Sequence, residues 1–333
     1  MQAGLDNRIR TTFNHNPTTL RLASARPAMQ TLPRPQRDPD APGNLVRNLI
    51  VAAPGHVFTA ADFSGIEAVL VGYEARDPGY MRLARRDVHS FYTAHAMYHI
   101  GDTRLSANDL PQLSWDDDKL FSRLADIKKL YKAERNDLYK HLVHAINFGQ
   151  SPKGAQDKIY KETGIIYDIK LIARAMDIYK KELFPSIPRW HKQVRLKAHE
   201  EGHLRNAWGY VHRFNHVFAN KLRNGVWEQI NGDDAEAVLA FKPQSTAAGI
   251  MKEVLLRMYQ NRFEEAGQFI RLTIHDEIFC EVPNGYELRM QEILKEEMEQ
   301  PIPVLPLPAE WNMGPYLSIL SEGKTGDRWS TMH

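Results

Sequence analysis

The sequence predicts a chain of mixed α and β structure, and three stretches carry that expectation. Arg271 to Pro283, RLTIHDEIFCEVP, sets Leu272 and Ile274, then Ile278, Phe279, Cys280 and Val282, on either side of His275, Asp276 and Glu277. Two short apolar runs about a polar turn predict a buried β-hairpin. Val57 to Glu67, VFTAADFSGIE, reads as an apolar strand that ends at Asp62 and passes into a helix with Ile66, Val69 and Leu70 on one face. Residues 116 to 183 are helical in pattern and rich in lysine, including Lys128, Lys129 and Lys132, as a solvated helix face would be.

Composition bounds the rest. At 333 residues the chain can hold two domains, or one large domain with an insertion. Hydrophobic residues make up 43% and charged residues 25%, an ordinary balance for a soluble globular protein. The formal net charge of +2 does not by itself argue for nucleic acid, although basic residues can still gather along one cleft. A single cysteine, Cys280, excludes an internal disulfide and a cysteine-based zinc site and fits a reducing compartment. No stretch is long or apolar enough to cross a membrane, and the start lacks the apolar core of a signal peptide. The expectation is a cytoplasmic protein with no membrane partner.

In chain order, residues 1 to 34 are polar and irregular, ending in LRLASARPAMQTLPR. Pro33 to Gly43 is a breaker-rich loop. Leu45 to Ala61 supplies strand material leading into Asp62. Glu67 to Glu74 is helical, with Asp77-Pro78-Gly79 as its terminator. His89, His95 and His99 invite a metal reading, but HAMYH lacks the glutamate of the zinc-protease motif, and a satisfied helical face is expected. Lys140, His144 and Phe148 fall on one helical face at a spacing of four. Such a face can offer a cation to a triphosphate and a ring to a base or sugar; an amphipathic helix with a polar edge fits the same spacing. Leu183 to Trp190, with two prolines, breaks the helices. A hairpin follows over His203 to Phe214, and a long helix over Glu236 to Met258. A helix over Tyr286 to Gln300, a strand over Val304 to Trp311 and a loose tail from 321 to 333 complete the chain. The adjacent acids Asp276 and Glu277 are either solvated at a turn or held out to a divalent cation, and the hairpin alone favours solvation.

Read together, DFSGIE (Asp62 to Glu67), KHLVHAINFG (Lys140 to Gly149) and HDE (His275 to Glu277) resemble, in order, three motifs of family A DNA polymerases, the bacterial polymerase I kind. Further matches are LRLASARPAMQTLPR, Asp87-Val88-His89 and FKPQSTAAGIMKEVLLRM, so the resemblance covers nearly the whole chain. It implies an α+β fold: a right-hand polymerase palm, an antiparallel sheet backed by helices, with a helical fingers insertion. The palm would comprise residues 1–75 and 230–333 and the fingers 76–229, with thumb and exonuclease domains expected to be absent from this chain.

The resemblance also implies an activity: template-directed addition of dNTPs to a primer 3′ end, using two Mg²⁺ ions or Mn²⁺ in their place. Asp62 and Asp276, with the Phe63 carbonyl, are the implied metal ligands, and Glu277 is a weaker catalytic candidate. Lys140, His144, Phe148, Glu67 and His89 are the implied nucleotide-binding residues, with Glu67 crowding the sugar 2′ position and His144 serving the departing pyrophosphate. Arg21, Gln30, Gln244 and His275 are the implied contacts to primer–template DNA. A separate polypeptide carrying a thumb or exonuclease would be a further partner, and a bacterial cell or phage-infected host the setting. The sequence departs from the family pattern at Lys140 (arginine in the family), His144 (lysine), Leu20 (glycine) and Gln150-Ser151-Pro152-Lys153-Gly154 (tyrosine-glycine). Two other readings remain: a single-subunit RNA polymerase, a kind that shares the palm and both aspartates but whose motifs lack the glutamate and the NFG, and a catalytically silent DNA-binding or assembly protein derived from a polymerase.

Overall fold

A computed structural model describes every residue except 1–3, 5, 16, 17, 33–41, 225 and 333, and the side chains of residues 42–44 and 223 are also undescribed. Most of the breaker-rich stretch expected from Pro33 therefore lies outside the described residues. The chain divides into two compact units, Met1–Ser64 with Gln244–His333, and Gly65–Pro243. The elements run β1 (Thr12–His15), β2 (Leu22–Ala25), α1 (Pro42–Asn48), β3 (His56–Phe63), α2 (Ile66–Glu74), α3 (Pro78–Ala84), α4 (Val88–Ile100) and α5 (Asp117–Leu130). Next come α6 (Lys132–Glu134), α7 (Lys140–Asn147), α8 (Pro152–Thr163), α9 (Ile169–Asp177), α10 (Ser186–Glu201), β4 (His203–Arg205), β5 (Val211–Arg213), β6 (Phe218–Arg223) and β7 (Val226–Asn231). The chain closes with α11 (Ala235–Asn261), β8 (Ile270–Ile274), β9 (Glu277–Pro283), α12 (Glu287–Met298), β10 (Ile302–Pro306), β11 (Tyr316–Leu317) and β12 (Ser321–Gly326).

The first unit is built on an antiparallel sheet of order β12-β3-β9-β8. Strand alternation decides what each face carries. Phe58, Ala60, Leu272 and Phe279 join Met29, Trp329 and Met332 in one core cluster, with the Phe58 and Phe279 rings 4.8 Å apart. The opposite face is backed by α12: a side-chain carbon added at Gly323 of β12 would meet the Gln291 side chain at 2.9 Å, so a larger residue there would require that side chain to move. The predicted hairpin forms as β8 and β9, but its turn is the two residues His275 and Asp276, because Ile274 already pairs with Glu277.

The second unit is mainly helical. Burial fixes α7 within it: Asn147 at its end meets the hydroxyls of Tyr80 and Tyr179 at 2.8 Å each, and its carbonyl lies 3.0 Å from His191 Nε2. All of these side chains are buried. Burial pushes the Tyr80 hydroxyl up to about 12, so the network stays neutral.

Several sequence expectations need correction. Asp77-Pro78-Gly79 does not only end a helix; it starts α3, with Asp77 accepting a 2.8 Å hydrogen bond from the Tyr80 N–H and Pro78 in the first turn, where its missing N–H costs nothing. The second proline of LFPSIPRW lies inside the first turn of α10 for the same reason. Residues 45–48 are helical rather than extended. The final strand begins at Ile302 and gives way to a short 3₁₀ turn by Ala309. The expected loose tail contains β12, which pairs with β3 along its whole length.

Candidate active site

The sheet register places the acidic residues. Asp62, the penultimate residue of β3, pairs with Glu277 on one side and Glu322 on the other. Asp276 directly precedes Glu277, and its carbonyl accepts a 3.2 Å hydrogen bond from the Phe63 N–H. Asp62 and Asp276 are therefore brought to the same end of adjacent strands, and both are half-buried. Glu277 is buried (7% exposed) and is ion-paired through Oε2 with Lys324, which reaches across the small Ala60 of the intervening strand. Its Oε1 is enclosed without a hydrogen-bond partner among the described residues.

This donor set can be tested against Mg²⁺. That ion takes hard oxygen ligands, commonly one or two carboxylates completed by phosphates and water. Two strand-end aspartates and a nearby main-chain carbonyl suit it. No three metal-ligating side chains converge among the described residues, so the protein alone would not fill the coordination sphere. The residues fit the ion.

The residues expected to contact DNA lie on the β8–β9 turn, in the N-terminal segment and on α11. His275 is exposed and holds φ at 60°, the left-handed region that favours glycine. Only the first of the two turn residues does so, the pattern of a type II′ turn. Arg21 is half-buried. The residue before it, Leu20, has φ 58°, so the backbone keeps a glycine-like conformation although glycine is absent. Gln30 is used by the protein itself. Its Oε1 accepts from the Ser24 N–H at 2.9 Å, and its Nε2 donates to the Thr273 carbonyl at 2.8 Å. Gln244 is half-buried on α11, just after Pro243.

In the second unit, Lys140 is exposed, His144 half-buried and Phe148 buried on or just beyond α7. The Phe148 ring, rather than standing open, packs edge-on against His144 at 4.8 Å. His144 also has two charged neighbours. Lys158 of α8 places its ammonium 3.1 Å from Nδ1, and Glu67 of α2 lies 3.6 Å from Nε2. Burial, then the Lys158 charge, lowers the His144 pKa, with Glu67 opposing. His89, near the start of α4, has its Nδ1 enclosed without a hydrogen-bond partner among the described residues. Burial pushes its pKa down to about 3, with Arg135 and Lys140 adding to the effect. Sequence reasoning did not single out Lys158; a lysine on a lysine-rich helix carries no local signal of its partner. His95, also on α4, pairs through Nε2 with the Pro111 carbonyl at 2.9 Å.

Comparison with known proteins agrees with these motifs. The family model for DNA polymerase family A matches residues 119–318. The thermostable DNA polymerase I of Thermus filiformis is 27% identical over 312 residues, covering 92% of this chain and 32% of the relative. The chloroplastic/mitochondrial DNA polymerase I B of Arabidopsis thaliana is 22% identical over 305 residues, covering 90% and 27%. The chain thus spans about a third or less of the length of these curated relatives. In structure it is similar to the POL domain of Pol1 from M. smegmatis, solved in complex with DNA primer-template and dNTP, with a TM-score of 0.69, 21% identity, and coverage of 98% of this chain and 49% of the other. A family model that spans more than half of the sequence settles its membership: the chain belongs to DNA polymerase family A.

Proposed function

We propose that the chain is the palm and fingers portion of a template-directed DNA polymerase, which adds dNTPs to a primer 3′ end. The observation that carries this reading is the strand register that sets Asp62 at the end of β3 beside the β8–β9 turn bearing Asp276. Residues 1–75 and 230–333 are assigned to the palm and 76–229 to the fingers. Asp62, Asp276 and the Phe63 carbonyl would hold two Mg²⁺ ions, or Mn²⁺ in their place. Bound there, the metal would activate the primer hydroxyl and neutralise charge on the departing pyrophosphate.

The chain's own residues divide the remaining tasks. Glu277, tied to Lys324, supports the strand end rather than adding a third ligand. Lys140, exposed on α7, supplies a cation for the triphosphate, and His144 and His89 supply neutral imidazoles. Phe148 buttresses His144, and Glu67 guards the sugar 2′ position. His275, held at a turn tip, is assigned to the primer terminus, and Arg21, Gln30 and Gln244 to the primer–template. Gln30 acts there through the hairpin that it braces.

Primer extension in Mg²⁺ with either dNTPs or rNTPs tests this, with Asp276→Asn as the control. Templated dNTP addition that the control lacks is expected. Preference for rNTPs would favour an RNA polymerase, and no addition of either would favour a silent DNA-binding protein.

A further inference from the structure

The family's fingers lysine is a histidine here, and a histidine is a poor substitute if it carries no charge. Several groups face His144. Lys158 and Glu162 approach from α8, Glu67 from α2 and His141 from its own helix, while His89 of α4 interacts with both His144 and Lys140. An ammonium has only donors, so the 3.1 Å contact from Lys158 Nζ requires a lone pair on Nδ1. The imidazole proton then sits on Nε2. Lys158 is itself steadied by Glu162, at 4.0 Å one turn on, and Glu162 also lies 3.0 Å from His141 Nδ1. The half-buried ammonium is therefore held in place rather than free on the surface.

The geometry points to Lys158 as the charge that replaces the family lysine: Lys158 and His144 form one cationic unit for the nucleotide triphosphate. The ammonium of α8 bears the charge, and the neutral imidazole of α7 is fixed as an Nε2–H donor. Lys158 is thus a positioning residue acting through His144. This inference rests on the polymerase reading for its ligand, but not for the pairing itself. It changes what the histidine implies for pH dependence. A charge carried by His144 alone would fade in the neutral range, whereas a charge carried by lysine persists through it.

Ring ¹⁵N chemical shifts of His144 in the full chain, without DNA or nucleotide, test the pairing. At neutral pH the expected result is a bare Nδ1 and a protonated Nε2, with titration below the ordinary histidine range. In Lys158→Met the titration should move upward, because a neighbouring positive charge is gone. Unchanged shifts and titration in that variant would overturn the pairing.

Single-turnover dNTP addition tests the role. Lys158→Met should slow it about tenfold or more and make the rate fall as pH rises through the imidazole range, a fall that the unsubstituted chain lacks. Adding His144→Lys to Lys158→Met should restore the rate and remove the fall. A slow variant with no new pH dependence, or no rescue by His144→Lys, would assign Lys158 a purely structural role and overturn the proposal. Should no form extend a primer, the polymerase reading fails and the nitrogen shifts alone decide the pairing.

Discussion

The two units place their candidate functional side chains by different means. In the sheet unit the backbone does it: Asp62 and Asp276 are where they are because β3 and β9 are in register and the turn between β8 and β9 has two residues. In the helical unit side chains do it: His144 is oriented by Lys158, Glu67 and Phe148, which lie on or beside three different helices. A ladder of hydrogen bonds tolerates substitution of the side chains it carries. A side-chain cluster does not, since each member sets the protonation or position of the next. The acids should therefore be separable from stability, and the bases should not.

The largest effect, short of removing the carboxylates, is expected on acidification. His89, His95, His141, His144 and His191 of the helical unit all have lowered pKa values, with burial as the leading cause in each. A lowered histidine leaves full stability above its unfolded pKa of about 6.5. Below that the unfolded chain binds protons that the folded one refuses, and stability falls until the folded pKa is reached. For His191, pushed down to about 4, the loss at pH 5 is about 2 kcal/mol. In the sheet unit, Glu281 is held low although burial alone would raise it, because the Ala53 N–H, Arg8 and Arg271 outweigh burial. Its contribution is present above the ordinary carboxylate pKa and lost only as pH falls through its lower folded value. Hydrogen exchange between pH 7 and 5, corrected for intrinsic rates, should show residues 65–243 losing protection first. Equal loss in both units would erase the contrast.

The same division explains what was legible in the sequence. Periodicity exposed the hairpin at Arg271 to Pro283 and the strand-to-helix passage at Asp62, because one side of each is apolar. It missed β12, SEGKTG, whose glycines and charges have poor strand propensity and which extends only because β3 offers an unpaired edge. It treated Asp77-Pro78-Gly79 as a stop, although the residues that end one helix can cap the next. The roles proposed for the carboxylates came from motif order and family resemblance. Lys158 was hidden because its partner lies 14 positions away on another helix, and no sequence period reports such a pair.

A smaller effect should follow Glu67→Ala. Opening space beside the sugar should raise rNTP use relative to dNTP use by about tenfold, read from the ratio of kcat/KM values. The substitution also takes a carboxylate from His144, so the imidazole should titrate lower still. An unchanged ratio would remove Glu67 from sugar selection.

The smallest effect concerns the turn. Since His275 holds a glycine-like φ, His275→Gly should leave stability within about 0.5 kcal/mol while weakening extension, chiefly through the primer terminus. Thermal melting and extension measured on one preparation separate the two. A variant that keeps both unchanged would mean that the histidine serves neither.

The proposed chemistry rests on the strand-end carboxylates, which the sheet should hold in place whether or not they are charged. Asp62→Asn and Asp276→Asn test it through the single-turnover rate of dNTP addition and the Kd for primer–template, measured side by side. The expected result is a rate lower by about a thousandfold or more, with unchanged melting and DNA affinity. Near-normal addition by either variant would show that the chemistry does not depend on these two carboxylates.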